Sequence, residues 1–313
     1  MNPKIMAINE EINQIVRGKD ELIKKVLAAI FCGGNILLED IPGVGKTTLA
    51  LAISRVMNLD YKRIQFTPDV LPSDITGFSM YNNKTNEFEY KEGAAMTNLL
   101  LADEINRTSP KTQSALLEIM EEKRVTVDGI THSLPDPFIV IATENPIGSS
   151  GTQMLPESQL DRFMICMSLG YPCHSDAIDI LKNNTSALLA ATEPILHKED
   201  LIAIQKEVEK VFVHDSIYEY IVTLTEITRT DERFSLGGSP RSSLALLNLS
   251  KGMAVMNGRD FVTPKDVVFV YPDVMGHRVK LSSQGKALGK SAKEILSSIP
   301  SSLPMPMTAD KPR

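Results

Sequence analysis

The chain has 313 residues, of which 42% are apolar and 23% charged, an ordinary composition for a globular protein with room for two domains. No apolar run is long enough to cross a bilayer, and the N-terminal segment lacks the apolar region of a signal peptide, so we expect a cytoplasmic protein without membrane insertion. The net charge of −6 gives no general attraction to nucleic-acid phosphates, which argues against a nucleic-acid partner unless a local basic stripe exists.

The first predicted elements lead into a phosphate-binding motif. Residues 20–32 have apolar side chains at helical spacing and end at Gly33 and Gly34, which form a helix stop. The apolar run 35–39 predicts a buried strand, and residues 47–57 are again periodic. The sequence DIPGVGKTT lies between them at 40–48. A glycine-rich loop between a strand and a helix predicts that the chain binds ATP or GTP.

The residue types in this loop match the chemistry of phosphate binding. Gly43 and Gly45 allow the backbone N–H groups to turn inward, Lys46 is placed to reach the β and γ phosphates, and Thr47 is a candidate ligand of Mg²⁺. Asp40 stands where the general motif has its first glycine, so the loop must accept a side chain at its entry. The predicted nucleotide-binding residues of the loop are Pro42, Gly43, Val44, Gly45, Lys46, Thr47 and Thr48.

Four further apolar runs, at 61–66, 98–102, 138–142 and 163–169, predict buried strands. Helices or insertions separate them, which is the alternation of an α/β fold with a parallel, doubly wound sheet and a nucleotide at the carboxyl ends of its strands. Two insertions read as β-hairpins, with strands at 78–81 and 87–90 and at 124–127 and 130–134. We expect both hairpins to project from the sheet.

Polar residues follow two of the predicted strands and precede a third. Asp103 and Glu104 end one strand, where Asp103 could coordinate Mg²⁺ and Glu104 could activate or orient the attacking water. Asn145 ends the next strand and could hold that water, although an Asn before a proline also forms turns. Arg162 precedes a strand, where it could form a structural salt bridge or act on a nucleotide bound by a neighbouring subunit.

The pattern changes after residue 172. Segments at 176–182, 198–208, 214–229, 240–256 and 264–270 all have helical periodicity, with no convincing series of strands between them. The prediction is therefore a nucleotide-binding α/β core at 1–172 and a smaller all-helical domain at 173–300. Residues 301–313 contain repeated prolines and no apolar period, which predicts a frayed tail.

The order and spacing of several segments resemble the MoxR family of AAA+ ATPases. The matching segments are VRGKDELIKKVLAAI, LLEDIPGVGKTTLA, LLLADEINRTSPKTQSALLEIMEEKRVTVDG, IATENPIGSSGTQMLPESQLDRF and GGSPRSSLALL. The resemblance implies an AAA+ core with a helical lid, and ATP with Mg²⁺ as its cofactors. It implies that Asn145 is sensor 1, Arg162 an arginine finger and Arg241 sensor 2. The same resemblance gives an adenine pocket lined by Val16, Arg17 and Gly18.

The resemblance also implies a homo-oligomeric ring, usually hexameric, in which neighbouring subunits share each ATP site. The two hairpins match a helix-2 insert and a pre-sensor-1 insertion, which this family shares with magnesium-chelatase subunits and MCM-type helicases. Because the lid is displaced in that wider group, Arg241 could act on its own nucleotide or on a neighbour's. Arg107 matches the family pattern too, and a structural role and a catalytic role are equally open for it.

The hypothesis from the sequence is Mg-dependent ATP hydrolysis by a MoxR-type ATPase that remodels or matures partner proteins, for which the family suggests von Willebrand factor A domain proteins. A magnesium-chelatase-like motor or a nucleic-acid translocase would use the same ATP site. A scaffold that binds ATP but hydrolyses little is a third hypothesis. The presence of Asp103, Glu104 and Arg162 argues against the scaffold.

Overall fold

The computed structural model describes residues 2–145 and 154–306. The motif segment at 146–153 and the predicted tail at 307–313 lie outside the described residues. Within the described part of the chain, no helix combines the length and the apolar character needed to cross a membrane.

Eleven strands occur in the described residues. They are β1 (Ile36–Glu39), β2 (Tyr61–Gln65), β3 (Phe78–Asn82), β4 (Glu87–Lys91), β5 (Leu99–Asp103), β6 (Arg124–Val127), β7 (Ile130–Ser133), β8 (Ile139–Glu144), β9 (Ile165–Met167), β10 (Phe234–Leu236) and β11 (Lys280–Leu281). All five predicted sheet strands and both predicted hairpins are confirmed, with bounds that shift by one or two residues at most ends.

The α-helices of the described residues are α1 (Pro3–Ile15), α2 (Asp20–Phe31), α3 (Lys46–Val56), α4 (Pro72–Thr76), α5 (Pro110–Glu122), α6 (Glu157–Leu160), α7 (His174–Lys182), α8 (Thr185–Ala191), α9 (Lys198–Glu209), α10 (Asp215–Thr230), α11 (Pro240–Met256), α12 (Pro264–Met275), α13 (Ser283–Ala287) and α14 (Ala292–Ser298). Short 3-10 turns lie at Ile105–Arg107 and Pro300–Ser302. The start of α5 follows from its sequence, since Ser109 caps the Thr112 N–H and Pro110 needs no hydrogen-bond acceptor. Ser239 and Pro240 start α11 in the same way.

The central sheet is parallel and has the strand order β2-β5-β8-β1-β9. Side chains alternate between its two faces: Leu99 and Leu101 pack into one hydrophobic cluster, whereas Leu100 and Ala102 pack into the other. Because both faces are covered, β5 and β8 are buried along their whole length. The carboxyl ends of β1, β5 and β8 therefore meet at one edge, where the predicted site residues follow them.

The C-terminal part of the chain is helical and packs against the core. Helix α11 contacts α2, and α12 lies beside the edge strand β9. Buried Arg278 joins the two parts, since it donates to the backbone oxygens of Phe163 at 2.6 Å and Met164 at 3.1 Å. The antiparallel pair β10–β11 is an addition to the predicted all-helical lid, made of strands too short to produce an alternating pattern. The division at residue 172 stays a prediction.

Candidate functional site

The phosphate-binding loop connects β1 to α3, as the sequence predicted. Gly43 and Gly45 have φ angles of +85° and +101°, which lie in the left-handed region. A Cβ atom at either position would meet no atom within 4 Å, so backbone conformation rather than crowding favours glycine there. Helix α3 starts directly after Gly45, which directs its free N–H groups toward the loop, where an anion is favoured.

Lys46 and Asp40 define the base of the loop. Lys46 is buried, and its Nζ donates to the backbone oxygen of Asp40 at 2.7 Å. Burial lowers the pKa of Lys46, and the nearby acids, Asp40 foremost, act in the opposite direction. The Asp40 carboxylate accepts from the Gly170 N–H at 2.8 Å and from the Ser168 hydroxyl at 3.1 Å. Asp40 thus ties the loop to the chain segment that follows β9.

The acids at the end of β5 are organised by Thr143 of the neighbouring strand β8. The Thr143 hydroxyl donates to Asp103 Oδ1 at 2.6 Å and accepts from the Glu104 N–H at 2.9 Å. The backbone of Glu104 is left-handed, with φ +58°, which turns its side chain away from the direction of the strand. Arg107 donates to Glu104 Oε2 at 2.7 Å, so it contacts the predicted water-activating group directly.

The predicted metal ligands fit Mg²⁺ in their chemistry. Thr47 supplies a hydroxyl and Asp103 a carboxylate, and such hard oxygen ligands together with substrate phosphates are a common Mg²⁺ environment. Asp103 Oδ2 also accepts from Arg63 of β2 at 2.7 Å, so this carboxylate already has one positively charged partner. The described residues contain no cluster of three or more His, Cys, Asp or Glu side chains suited to a metal.

Asn145 follows β8 at the same edge of the sheet and is half-buried. Its backbone oxygen accepts from Asn106 Nδ2 at 3.1 Å, which links the predicted sensor 1 to the turn after Glu104. The neighbouring ends of β1 and β8 bring Glu39 beside Glu144. Lys46, Asp103, Glu104 and Asn145 thus follow adjacent strands of one sheet edge.

The residues predicted to line the adenine pocket lie where α1 ends. Val16 is buried in the same hydrophobic cluster that Val44 of the loop contacts. Gly18 lies close to the carboxylate of Asp176 in α7, which leaves no room for a Cβ at Gly18. Lys19 donates to the Tyr171 backbone oxygen at 3.0 Å. Residues 16–19 therefore border the connection between core and lid. The predicted contact of Val16, Arg17 and Gly18 with adenine stays a prediction.

Arg162 and Arg241 lie at the other edge of the sheet. Arg162 comes just before Met164, whose N–H donates to the backbone oxygen of Asn35, the residue before β1. Five residues of extended chain separate Asn35 from Asp40, a distance of about 16 Å. Arg241 lies beside Arg162, since both pair with Glu121. The structure therefore brings the two arginines together but not to the loop of their own subunit.

Several residues that shape this arrangement were missed in the sequence analysis. Thr143, Arg63 and Glu121 have common residue types and no motif of their own, so their partners are evident only in three dimensions. Asp40 stands out in the sequence, because it replaces the first glycine of the general motif. The structure gives its carboxylate a function, which is to accept hydrogen bonds from Ser168 and Gly170.

Comparison with known proteins identifies the family of both parts of the chain. The model of the "ATPase family associated with various cellular activities (AAA)" matches residues 35–165, and that of the "AAA lid domain" matches residues 226–299. Chaperone MoxR1 of Mycobacterium tuberculosis is 39% identical over 87% of this chain and 74% of its own length. YeaC of Bacillus subtilis, whose function is uncharacterized, is 47% identical over 98% of this chain and 96% of its own length. A crystal structure of a candidate ATPase from Cytophaga hutchinsonii has a TM-score of 0.87 and 36% identity, covering 97% of this chain and 95% of the other.

The fold and the site define an AAA-type ATPase core with its lid. More narrowly, this chain belongs to the MoxR family of AAA+ ATPases.

Proposed function

We propose that this chain hydrolyses ATP with Mg²⁺ at sites shared between neighbouring subunits of a ring, and that this activity remodels or matures partner proteins. The observation that carries the proposal is the separation of two groups of residues. Lys46, Asp103 and Glu104 meet at one edge of the sheet, whereas Arg162 and Arg241 lie together at the other. This separation supports a role for both arginines toward a nucleotide bound by another subunit.

The role of each residue in the proposal follows from its position. Lys46 would contact the β and γ phosphates, and Thr47 and Asp103 would hold Mg²⁺, which would neutralise phosphate charge. Glu104 orients the water and takes up its proton, with Asn145 as a second contact. The arginines of the neighbouring subunit stabilise negative charge on the transferred phosphoryl group. The proposed action of Arg241 is in trans, as for Arg162.

The proposed output is mechanical. The Asp40 bonds connect the phosphate-binding loop to residues 168–170, just before the lid, so a nucleotide-dependent loop movement could reach the lid. One relative is named a chaperone, which supports protein clients for this chain. A hexameric ring and von Willebrand factor A domain clients are the specific forms of the proposal.

The first prediction separates binding from hydrolysis. Lys46→Ala should abolish tight ATP binding because it removes a phosphate contact, whereas Glu104→Gln should keep ATP binding and suppress turnover by about 10²- to 10⁴-fold. Nucleotide binding and phosphate release by the purified variants measure this. Glu104→Gln should also capture client proteins with ATP, and Lys46→Ala is the matched control for that capture. Normal turnover in Glu104→Gln would contradict the proposal.

The second prediction concerns the shared site. Arg162→Ala should bind ATP nearly normally but hydrolyse it about 10³-fold more slowly, because its charge acts on a neighbour's phosphate. Mixing Arg162→Ala with Lys46→Ala should restore phosphate release, since one variant has an intact pocket and the other an intact arginine. Absence of any recovery in rings shown to contain both variants would argue against sites shared in this way.

A further inference from the structure

A single carboxylate holds both arginines of the proposed shared site. Glu121 Oε1 forms an ion pair with Arg241 at 2.8 Å, and Glu121 Oε2 forms one with Arg162 at 3.2 Å. Each arginine uses one terminal nitrogen in this contact. Because a guanidinium carries five N–H donors, each arginine keeps further donors for another anion. Glu121 thus brings together a residue of the core and a residue of the lid.

The neighbouring acid Asp161 is engaged elsewhere. Its Oδ1 accepts from Arg278 at 2.7 Å, and its Oδ2 accepts from the hydroxyl of Ser239, the residue that caps α11, at 2.9 Å. These bonds fasten the start of α11 to the loop that carries Arg162. The bonds of Asp161 hold together the two chain segments that carry the arginines. Glu121 in addition contacts the ends of the two arginine side chains.

The position of Glu121 within its helix is unfavourable by itself. Glu121 and Glu122 lie in the last turn of α5, and no basic residue occupies that turn. The helix dipole places partial negative charge there, which disfavours acids. The contact with two guanidinium groups offsets this cost. Glu122 instead pairs with Arg124 at 2.7 Å.

We propose that Glu121 is a positioning residue for catalysis in trans. It reduces the repulsion between Arg162 and Arg241 and holds them side by side, so that both present free donors to the phosphate of a neighbouring subunit. Glu121 itself touches no reacting atom. The inference rests on the proposed function, because it requires the site to be shared between subunits.

The test replaces Glu121 by glutamine. Glutamine has almost the same shape but offers one acceptor and an NH₂ group, so it can hold one guanidinium and repels the other. Because a displacement of about 1 Å in an active site can cost up to 10²-fold in rate, we expect turnover to fall by about 10- to 100-fold with ATP affinity unchanged. Glu122→Gln is the matched control, since it makes the same charge change one residue away and should leave turnover unaltered.

The decisive measurement uses rings that mix Arg162→Ala and Lys46→Ala subunits. Glu121→Gln is added to one of the two kinds of subunit at a time, and phosphate release is measured. In the Lys46→Ala subunit, which supplies the arginines, the substitution should abolish most of the recovered activity. In the Arg162→Ala subunit, which supplies the nucleotide pocket, it should have little effect. General damage to α5 would reduce activity in both placements.

The outcomes separate this inference from the proposed function. Equal effects in the two placements, or turnover that is unchanged or faster in Glu121→Gln, would overturn the role of Glu121 while leaving the shared site intact. If Lys46→Ala and Arg162→Ala form mixed rings without recovered activity, the shared site itself fails, and the role of Glu121 fails with it.

Discussion

Glu144 is a buried carboxylate at the tip of β8, beside the phosphate-binding loop. Burial raises its pKa to about 7, the neighbouring Glu39 adds to the increase, and Lys46 opposes it. A carboxyl group whose pKa is higher in the folded protein favours folding while it is protonated. Its contribution therefore becomes less favourable as the pH rises from the ordinary value of 4.5 to about 7.

This shift gives a prediction about stability and pH. Glu144→Gln removes the titrating group, so its stability relative to the parent should be about 3 kcal/mol greater at pH 8 than at pH 4. Chemical denaturation of both proteins at the two pH values measures the change. Glu122→Gln, at an exposed position, should show no such change with pH. A difference between Glu144→Gln and the parent that is the same at both pH values would refute the burial argument.

At the scale of single residues, the sequence indicated those whose chemistry belongs to a motif. Lys46, Asp103 and Glu104 follow predicted strands, and the structure places them at one edge of the sheet. The role of Glu121 could not be predicted, because an acid at the end of a surface helix is common and its two partners are distant in the chain. Residue type alone does not identify an ion pair between separate elements.

Helices α2 and α11 approach each other closely at Gly252. A Cβ at this position would lie 2.7 Å from the backbone oxygen of Ala28 and 2.6 Å from Cys32 Sγ. Moving a backbone oxygen of a helix would disturb the packing of that helix. The close contact between core and lid therefore depends on the absence of a side chain at Gly252.

The Gly252 contact predicts a reversal of the usual effect of alanine. In an exposed helix, a change from glycine to alanine stabilises by up to about 1 kcal/mol. Gly252→Ala should instead lower the free energy of unfolding by about 1–3 kcal/mol, because the added methyl group is overpacked. Thermal or chemical denaturation measures this. Asn248→Ala, at an exposed position of α11, is the control and should cause no loss; a gain in stability for Gly252→Ala would show that the two helices can separate freely.

The two hairpins were predicted as separate insertions, and their strands are as expected. The structure adds that they touch, since Tyr90 of β4 stacks on His132 of β7 with ring centroids 3.9 Å apart. At the far end of the first hairpin, Tyr81 packs edge-on against Phe88, yet both remain exposed, at 47% and 74%. Turn sequences predict such hairpins locally, but they contain no information about contacts between them.

For the whole molecule, a nucleotide shared between subunits couples ATP binding to association. We predict that a non-hydrolysable ATP analogue shifts the protein from smaller species to a ring, and that Lys46→Ala, which lacks a phosphate contact, does not respond. Sedimentation at several protein concentrations, with and without the analogue, measures this. A monomer under all these conditions would contradict the shared site, whatever the activity of the protein.

The sequence by itself determined the strands of the central sheet, the two hairpins, the phosphate-binding loop, the acids of β5 and the family, because periodicity and short motifs depend on neighbouring residues. The tertiary structure decided which distant residues meet. The strand order brings Thr143 to the acids of β5, and the packing of the lid on the core places Arg241 beside Arg162 at Glu121. Such contacts depend on how whole elements pack, and the local spacing of residues along the chain does not contain that information.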